Sequence, residues 1–217
     1  MPRRSAQDTA ARRDHILNLA MDEASATGLE GLTIGRLSTL ADMSKSGLFA
    51  HFGSKEELQV ATIEHAQQRF RERVWDRVYD TAPGVLRLRT MVRQWIDHIE
   101  TDHLRGGCFF AAASAEFDGR PGEVREQIMK LVRSWVHYLE REVEVARKTG
   151  HLLTIVKPDL LAFDLHASVQ EANLYRQLFE RADAFDLART AVDAKLVAAC
   201  TAEGRALMRD ATTSNSM

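Results

Sequence analysis

Between Thr33 and Leu58 the stretch TIGRLSTLADMSKSGLFAHFGSKEEL carries start and stop signals for three successive helices, and this punctuation constrains the fold more than any other part of the chain. Thr33 can cap a helix whose apolar residues Ile34, Leu37, Leu40 and Ala41 recur at helical spacing, and that helix is expected to stop near Asp42. Asp42-Met43-Ser44 then makes a turn. Ser44 caps a second helix over Lys45 to Ala50, which carries Lys45, Ser46 and His51 near its outer surface, and Gly53 closes it. Ser54-Lys55-Glu56-Glu57 matches a capping box: the Ser54 hydroxyl accepts from the N–H of Glu57, and the Glu57 carboxylate reaches back to the N–H of Ser54. A helix-turn-helix presents its second helix to the major groove while caps, hydroxyls and cations hold phosphates. Lys45, Ser46 and Gly47 suit that task, Gly47 by letting the backbone come close to DNA or to the packed first helix. Spacing alone also describes an ordinary corner in an all-α protein.

The order of residues around the corner favours the DNA reading. Ile16, Leu17, Ala20 and Met21 on a leading helix are followed by Gly28-Leu29-Glu30-Gly31-Leu32-Thr33-Ile34, Leu40-Ala41, Ser44, Gly47-Leu48-Phe49, His51-Phe52 and Ser54-Lys55-Glu56-Glu57-Leu58. In this order and register the segment resembles the N-terminal domain of TetR-family transcriptional regulators. Two positions depart from the family pattern: Phe49 stands where a tyrosine is usual, which removes one phosphate hydrogen bond, and Met43 where a turn glycine is common. The resemblance implies DNA contacts from Thr33, Arg36, Ser44, Lys45, Ser46, Gly47, Phe49, His51 and Lys55. It also implies a homodimer formed through the last two helices.

Composition supports a helical chain. Of 217 residues 45% are hydrophobic, and 12 Gly and 4 Pro are too few for a loop-rich protein. No window approaches the ~20 apolar residues that cross a bilayer, and no apolar run follows Met1-Pro2-Arg3-Arg4, so no membrane association and a cytoplasmic location are expected. Cys108 and Cys200 are expected to be reduced core residues. A net charge of −2 excludes a globally basic nucleic-acid binder, so DNA binding must be local. Residues 1–55 hold seven Lys/Arg against six Asp/Glu, and Arg3 and Arg4 form an arm able to lie along a groove.

Beyond the corner, punctuation divides the chain into helices from Ser54 to about Tyr79, from about Pro83 to His103, from Cys108 to Phe117, from Glu123 to Lys148, from Leu160 to Arg181 and from Phe185 to about Met208. About nine helices and no strand are expected. The domain division is 1–53 for a helix-turn-helix head and 54–217 for a helical effector-binding and dimerisation body. The last two helices are apolar over more than one stripe, with Phe163, Leu165, Ala167, Val169, Ala172, Leu174 and Leu178 on one and Phe185, Leu187, Ala188, Ala191, Val192, Leu196, Ala199 and Cys200 on the other. A second copy contributing the same pair completes a four-helix bundle.

Candidate effector contacts in the body are Trp95, His98, Phe109, Phe110, Trp135, Tyr138, Phe163, His166, Gln170 and Asn173. Each has core packing or a hydrogen bond to its own neighbours as the competing role. Acids and bases such as Asp97 with His98, or Asp164 with His166, sit at spacings that splay them around a helix, and no nucleophile elbow, HExxH, P-loop or dinucleotide turn is present. An enzyme is therefore not expected, nor a cofactor or a metal. The reading is a ligand-responsive repressor, released from a palindromic double-stranded DNA operator by a small-molecule effector. The alternative is an architectural helical DNA-binding protein without such a ligand.

Overall fold

A computed structural model describes residues 6–214, which form ten α-helices and no strand: α1 (Ala6–Thr27), α2 (Ile34–Leu40), α3 (Lys45–Phe52), α4 (Lys55–Phe70), α5 (Val85–Thr101), α6 (Phe109–Phe117), α7 (Glu123–Lys148), α8 (Pro158–Leu178), α9 (Ala184–Ala199) and α10 (Ala202–Ser214). The chain divides into two compact units, one of residues up to 69 together with 103–131, the other of 70–102 together with 132 onward. The three divisions fall at the end of α4, just after α5 and within α7.

In the first unit the apolar spacing of α1 buries Ile16, Leu17 and Ala20 against Leu32, Leu37 of α2, Leu48 and Phe52 of α3, and Leu58 and Ala61 of α4. Leu37 of α2 and Leu48 of α3 are wholly buried, and Phe52 adds a second large buried side chain on α3. Leu40, grouped by its spacing with the inner face of α2, is exposed because α2 ends there, with Ala41 as its C-cap. The turn places its positive φ of 49° on Asp42, not on Met43. Aspartate tolerates the left-handed region, so Met43 needs no strain there and packs on the head core. Among the described residues no helix is long and apolar enough to cross a membrane.

In the second unit α5 contributes Leu88, Met91, Val92, Trp95 and Ile96 to the core, α7 Leu139, Val143 and Ala146, α8 Leu161, Leu165 and Val169, and α9 Ala188, Val192 and Leu196. Ion pairs brace α5 to α9: Arg89 donates twice to the Asp193 carboxylate at 2.8 Å, Arg93 once at 2.6 Å, and Arg189 binds Asp97 at 2.6 Å and Glu100. Cys108 and Cys200 are free thiols, Cys200 fully buried.

Two expected helices are interrupted. The helix from Ser54 does not run on to Tyr79; after Phe70 it widens into a π turn over Arg71–Trp75, where the N–H of Asp76 donates to Arg71 O at 3.0 Å. The extra residue in that turn brings the Trp75 ring to 3.8 Å from that of Tyr138, centroid to centroid. The final helix breaks at Cys200–Thr201, which raises the helix count from nine to ten. The loop after α7 enters at this point: Leu153 N–H donates to Ala199 O at 2.9 Å and Thr201 N–H to His151 O at 3.1 Å. Gly204 permits this approach, since a Cβ there would lie 2.1 Å from the His151 carbonyl oxygen.

Candidate functional site

The head forms around its caps. Thr33 Oγ1 accepts from Arg36 N–H at 3.2 Å, and Ser44 Oγ accepts from Gly47 N–H at 3.1 Å while lying 3.3 Å from Ser46 Oγ. On α3, Lys45, Ser46 and Phe49 are exposed, and His51 is half-buried. Phe49 is 55% exposed, an apolar ring standing out on the face expected to read DNA. Lys45 forms no ion pair among the described residues; its side chain crosses the first turn of α2 beside Gly35. A Cβ on Gly47 would meet Ser44 Oγ at 3.0 Å and the end of Met43, but no atom of α2. The expected close approach of Gly47 to the first helix is therefore not present, because the intervening space is taken by Met43.

Two expected DNA cations are engaged inside the protein. Lys55 Nζ donates at 2.7 Å to both the carbonyl oxygen and a carboxylate oxygen of Glu30, and this hydrogen bond holds the Glu30 carboxyl below the usual carboxylate range. Arg36 is paired with Glu23, a residue with no solvent exposure. Glu23 also takes Arg105 at 2.8 Å; burial raises its pKa, and the hydrogen bonds from Arg36 and Arg105 outweigh that, leaving it lowered. The capping box is half formed. Glu57 N–H donates to Ser54 Oγ at 3.0 Å, but Ser54 N–H donates to Phe52 O at 2.7 Å, so the Glu57 carboxylate lies over Gly53 instead. Arg3 and Arg4, the anticipated arm, lie outside the described residues.

Several supporting residues were not anticipated. Arg13 donates to His51 O at 3.0 Å and covers the Phe52 ring at 4.7 Å, tying α1 to the end of the reading helix. Glu116 of α6 accepts backbone N–H groups from Leu29 at 2.6 Å and Glu30 at 3.1 Å. Gly28 makes room for it, with φ of 80° and no Cβ, where one would lie 2.6 Å from the carboxylate. A polar line thus runs from α6 through the Leu29–Glu30 turn to Lys55 at the start of α4. Gly28 was the visible signal; its carboxylate partner lies 88 residues downstream, beyond any local pattern.

In the body the expected effector residues sort into different surroundings. Trp95, Trp135 and His166 form one aromatic cluster with Phe70 and His98: Trp135 lies 5.2 Å from Trp95 and 4.8 Å from Phe70, and Trp95 lies 5.2 Å from His166. Burial pushes the His166 pKa below the usual histidine range, favouring a neutral imidazole. The Trp135 indole N–H has no acceptor among the described residues. Gln170 is half-buried and Asn173 buried on α8. Phe109 and Phe110 pack on each other at 5.3 Å in the first unit. Phe163 does not line the body: it is 68% exposed, because it faces outward from α8 between the buried Ala162 and Leu165.

Tyr138 opens onto a groove of about 490 Å³ that it shares with Trp75, Val78, Tyr79, Arg87, Ser134, His137, Arg141 and Glu142. Only Tyr138 was anticipated there. Glu142 had a sequence signal, a carboxylate on the apolar face between Leu139 and Val143, whereas Trp75 depends on the π turn.

Residues 16–62 match the model of bacterial regulatory proteins of the tetR family, and residues 84–192 match the tetracyclin repressor-like C-terminal domain. The chain is 23% identical to the HTH-type transcriptional repressor DhaR of Mycobacterium sp. (strain GP1) over 181 residues, covering 83% of this chain and 89% of that one. A TetR transcriptional regulator of Chloroflexus aurantiacus J-10-FL superimposes with a TM-score of 0.80 at 20% identity, covering 89% of this chain and 98% of the other. AibR, solved in complex with isovaleryl coenzyme A and operator DNA, gives a TM-score of 0.66 at 26% identity over 83% and 96% of the two chains. A helix-turn-helix head followed by a matched helical C-terminal domain defines a DNA-binding transcriptional regulator, not an enzyme. The chain belongs to the TetR family.

Proposed function

We propose that the protein is a dimeric repressor that leaves a palindromic operator when a small molecule binds its body. The observation that carries the reading is the Ser44-capped α3, with Lys45, Ser46 and Phe49 exposed together at its start and middle. In this reading residues 1–53 supply the DNA contacts and 54–217 the effector and dimer functions. Thr33, Ser44 and Ser46 bind phosphates, Lys45 and His51 reach phosphate or base edges, Gly47 allows close approach and Phe49 packs beside the backbone. Arg36 and Lys55 join them only by exchanging Glu23 and Glu30 for phosphate. The operator-bound and acyl-coenzyme-A-bound state of the relative AibR supports a DNA and small-molecule pairing.

Release is a population shift. An effector that binds two arrangements of the body unequally tilts α4 and changes the spacing of the two heads, which must match major-groove faces about 34–36 Å apart. The test is a footprint on DNA flanking the protein's own gene. A protected near-palindrome, lost on adding an effector found by thermal-shift screening, is expected. Binding without sequence preference and with no ligand response would replace this reading with the architectural one.

A further inference from the structure

The groove beside Tyr138 has a chemistry distinct from the aromatic cluster. Its wall is the Trp75–Tyr138 ring pair, 3.8 Å apart and inclined by 30°, and its rim carries two guanidinium groups, Arg87 and Arg141. Glu142 is the one carboxyl lining it, buried to 6% exposure, and its Oε2 has no hydrogen-bond partner among the described residues. Burial raises the Glu142 pKa against the opposing pull of Arg87, Arg141 and the Tyr138 hydroxyl. With two guanidinium groups against one carboxyl the groove is net positive, and the Trp75–Tyr138 stack stands on one side of it. Its volume of about 490 Å³ lies within the range of small-molecule sites, about 300–1,000 Å³. A cation would face two guanidiniums; a planar anion would meet both of them and the open aromatic face.

We propose that this groove is the effector site and that it takes a planar organic anion of the aromatic carboxylate class, its carboxylate between Arg87 and Arg141 and its ring against the Trp75–Tyr138 stack. The effector role rests on the ligand-responsive reading above, whereas the anion site stands on the groove alone. Guanidinium–carboxylate pairing supplies most of the selectivity, since it is charge-assisted and geometrically fixed.

The test titrates the full-length protein with naphthoate by calorimetry, with naphthamide as the uncharged analogue. Naphthoate is expected to bind, naphthamide at least about tenfold more weakly, and Arg141→Gln and Arg87→Gln are each expected to weaken naphthoate about tenfold. Glu142→Gln should tighten it several-fold by removing the competing charge. Arg87 Nε also donates to Thr81 O at 2.7 Å, so Arg141, which is exposed, decides the matter if Arg87→Gln misfolds. No naphthoate binding, equal binding of the amide, or affinity unchanged in Arg141→Gln overturns the anion site. Mobility shift with the operator separates the two readings. Arginine-dependent binding that leaves operator affinity unchanged keeps the groove and overturns its effector role; operator release by naphthoate that survives both arginine substitutions keeps ligand response and overturns the groove.

Discussion

Lys45 and Lys55, equivalent in the sequence as two basic residues flanking the reading helix, differ in what their charge already does. Lys45 has no ion partner among the described residues, so Lys45→Ala should weaken operator binding and lower the slope of log K against log salt by about one. Lys55 is neutralised by Glu30, and Lys55→Ala should leave that slope nearly unchanged. Glu30→Gln removes the carboxylate charge and leaves the bond to the Glu30 carbonyl; a steeper salt dependence in this variant, measured by fluorescence anisotropy, would show Lys55 reaching a phosphate, and an unchanged slope would assign it to the turn alone. The sequence displays a cation but not its partner, because Glu30 and Lys55 are 25 residues apart and meet only when the head folds. Asp193 makes the same point in the body. Burial works against its charge, but hydrogen bonds from Arg89 and Arg93 win and hold its pKa below the usual aspartate range. Its stabilisation is therefore complete above the unfolded value of about 4 and is lost as pH falls through the lower folded value. Asp193→Ala strands the Arg89 guanidinium, whose side chain is 8% exposed, and should cost about 3 kcal/mol in urea denaturation at neutral pH.

At the scale of elements, α3 and α7 were legible because their signals are local: a serine cap with a closing glycine for α3, and a long apolar face ended by Thr149-Gly150 for α7. The two interruptions were not. Nothing between Ser54 and Tyr79 marks the π turn, since it is fixed by where Trp75 meets α7, and the α9–α10 break is imposed by the Gly150–Leu153 loop. Gly204 is the residue on which that break depends. Gly204→Ala sets a Cβ against the His151 carbonyl and is expected to destabilise the body by about 1–3 kcal/mol, read as a lower urea midpoint with unchanged slope. An unchanged midpoint would mean that the loop yields and that the break is not braced there. The grip of Glu116 on the Leu29–Glu30 turn is not legible in the sequence for the same reason: a carboxylate on α6 has no local feature that points to a distant backbone.

For the whole molecule, the two apolar stripes noticed on the last helices resolve into an inner and an outer face. Leu165, Val169 and Ala172 of α8 and Phe185, Ala188, Val192 and Leu196 of α9 are buried, while Leu160, Phe163, Leu174 and Leu178 and, on α9, Leu187 and Val197 are exposed. With the exposed Ala167, the α8 residues fall within about 60° of arc at 100° per residue, a continuous apolar band. Exposed Ala191, Ala194 and Ala198 give α9 a shallow surface that another helix can approach closely. A band containing Phe163 at 68% and Leu178 at 65% exposure is costly in water and is self-complementary if a two-fold axis passes beside it. Phe163→Glu with Leu178→Glu places carboxylates on this band without touching the head or the buried face. The variant is expected to sediment as a folded monomer, with a helical circular-dichroism signal like that of the unmodified chain. Its operator affinity should fall by about a hundredfold or more, since each head then binds its half-site without the effective concentration supplied by its partner. A dimer that persists in this variant would move the interface off α8 and α9, and a monomer that keeps full operator affinity would remove dimerisation from the mechanism of DNA binding.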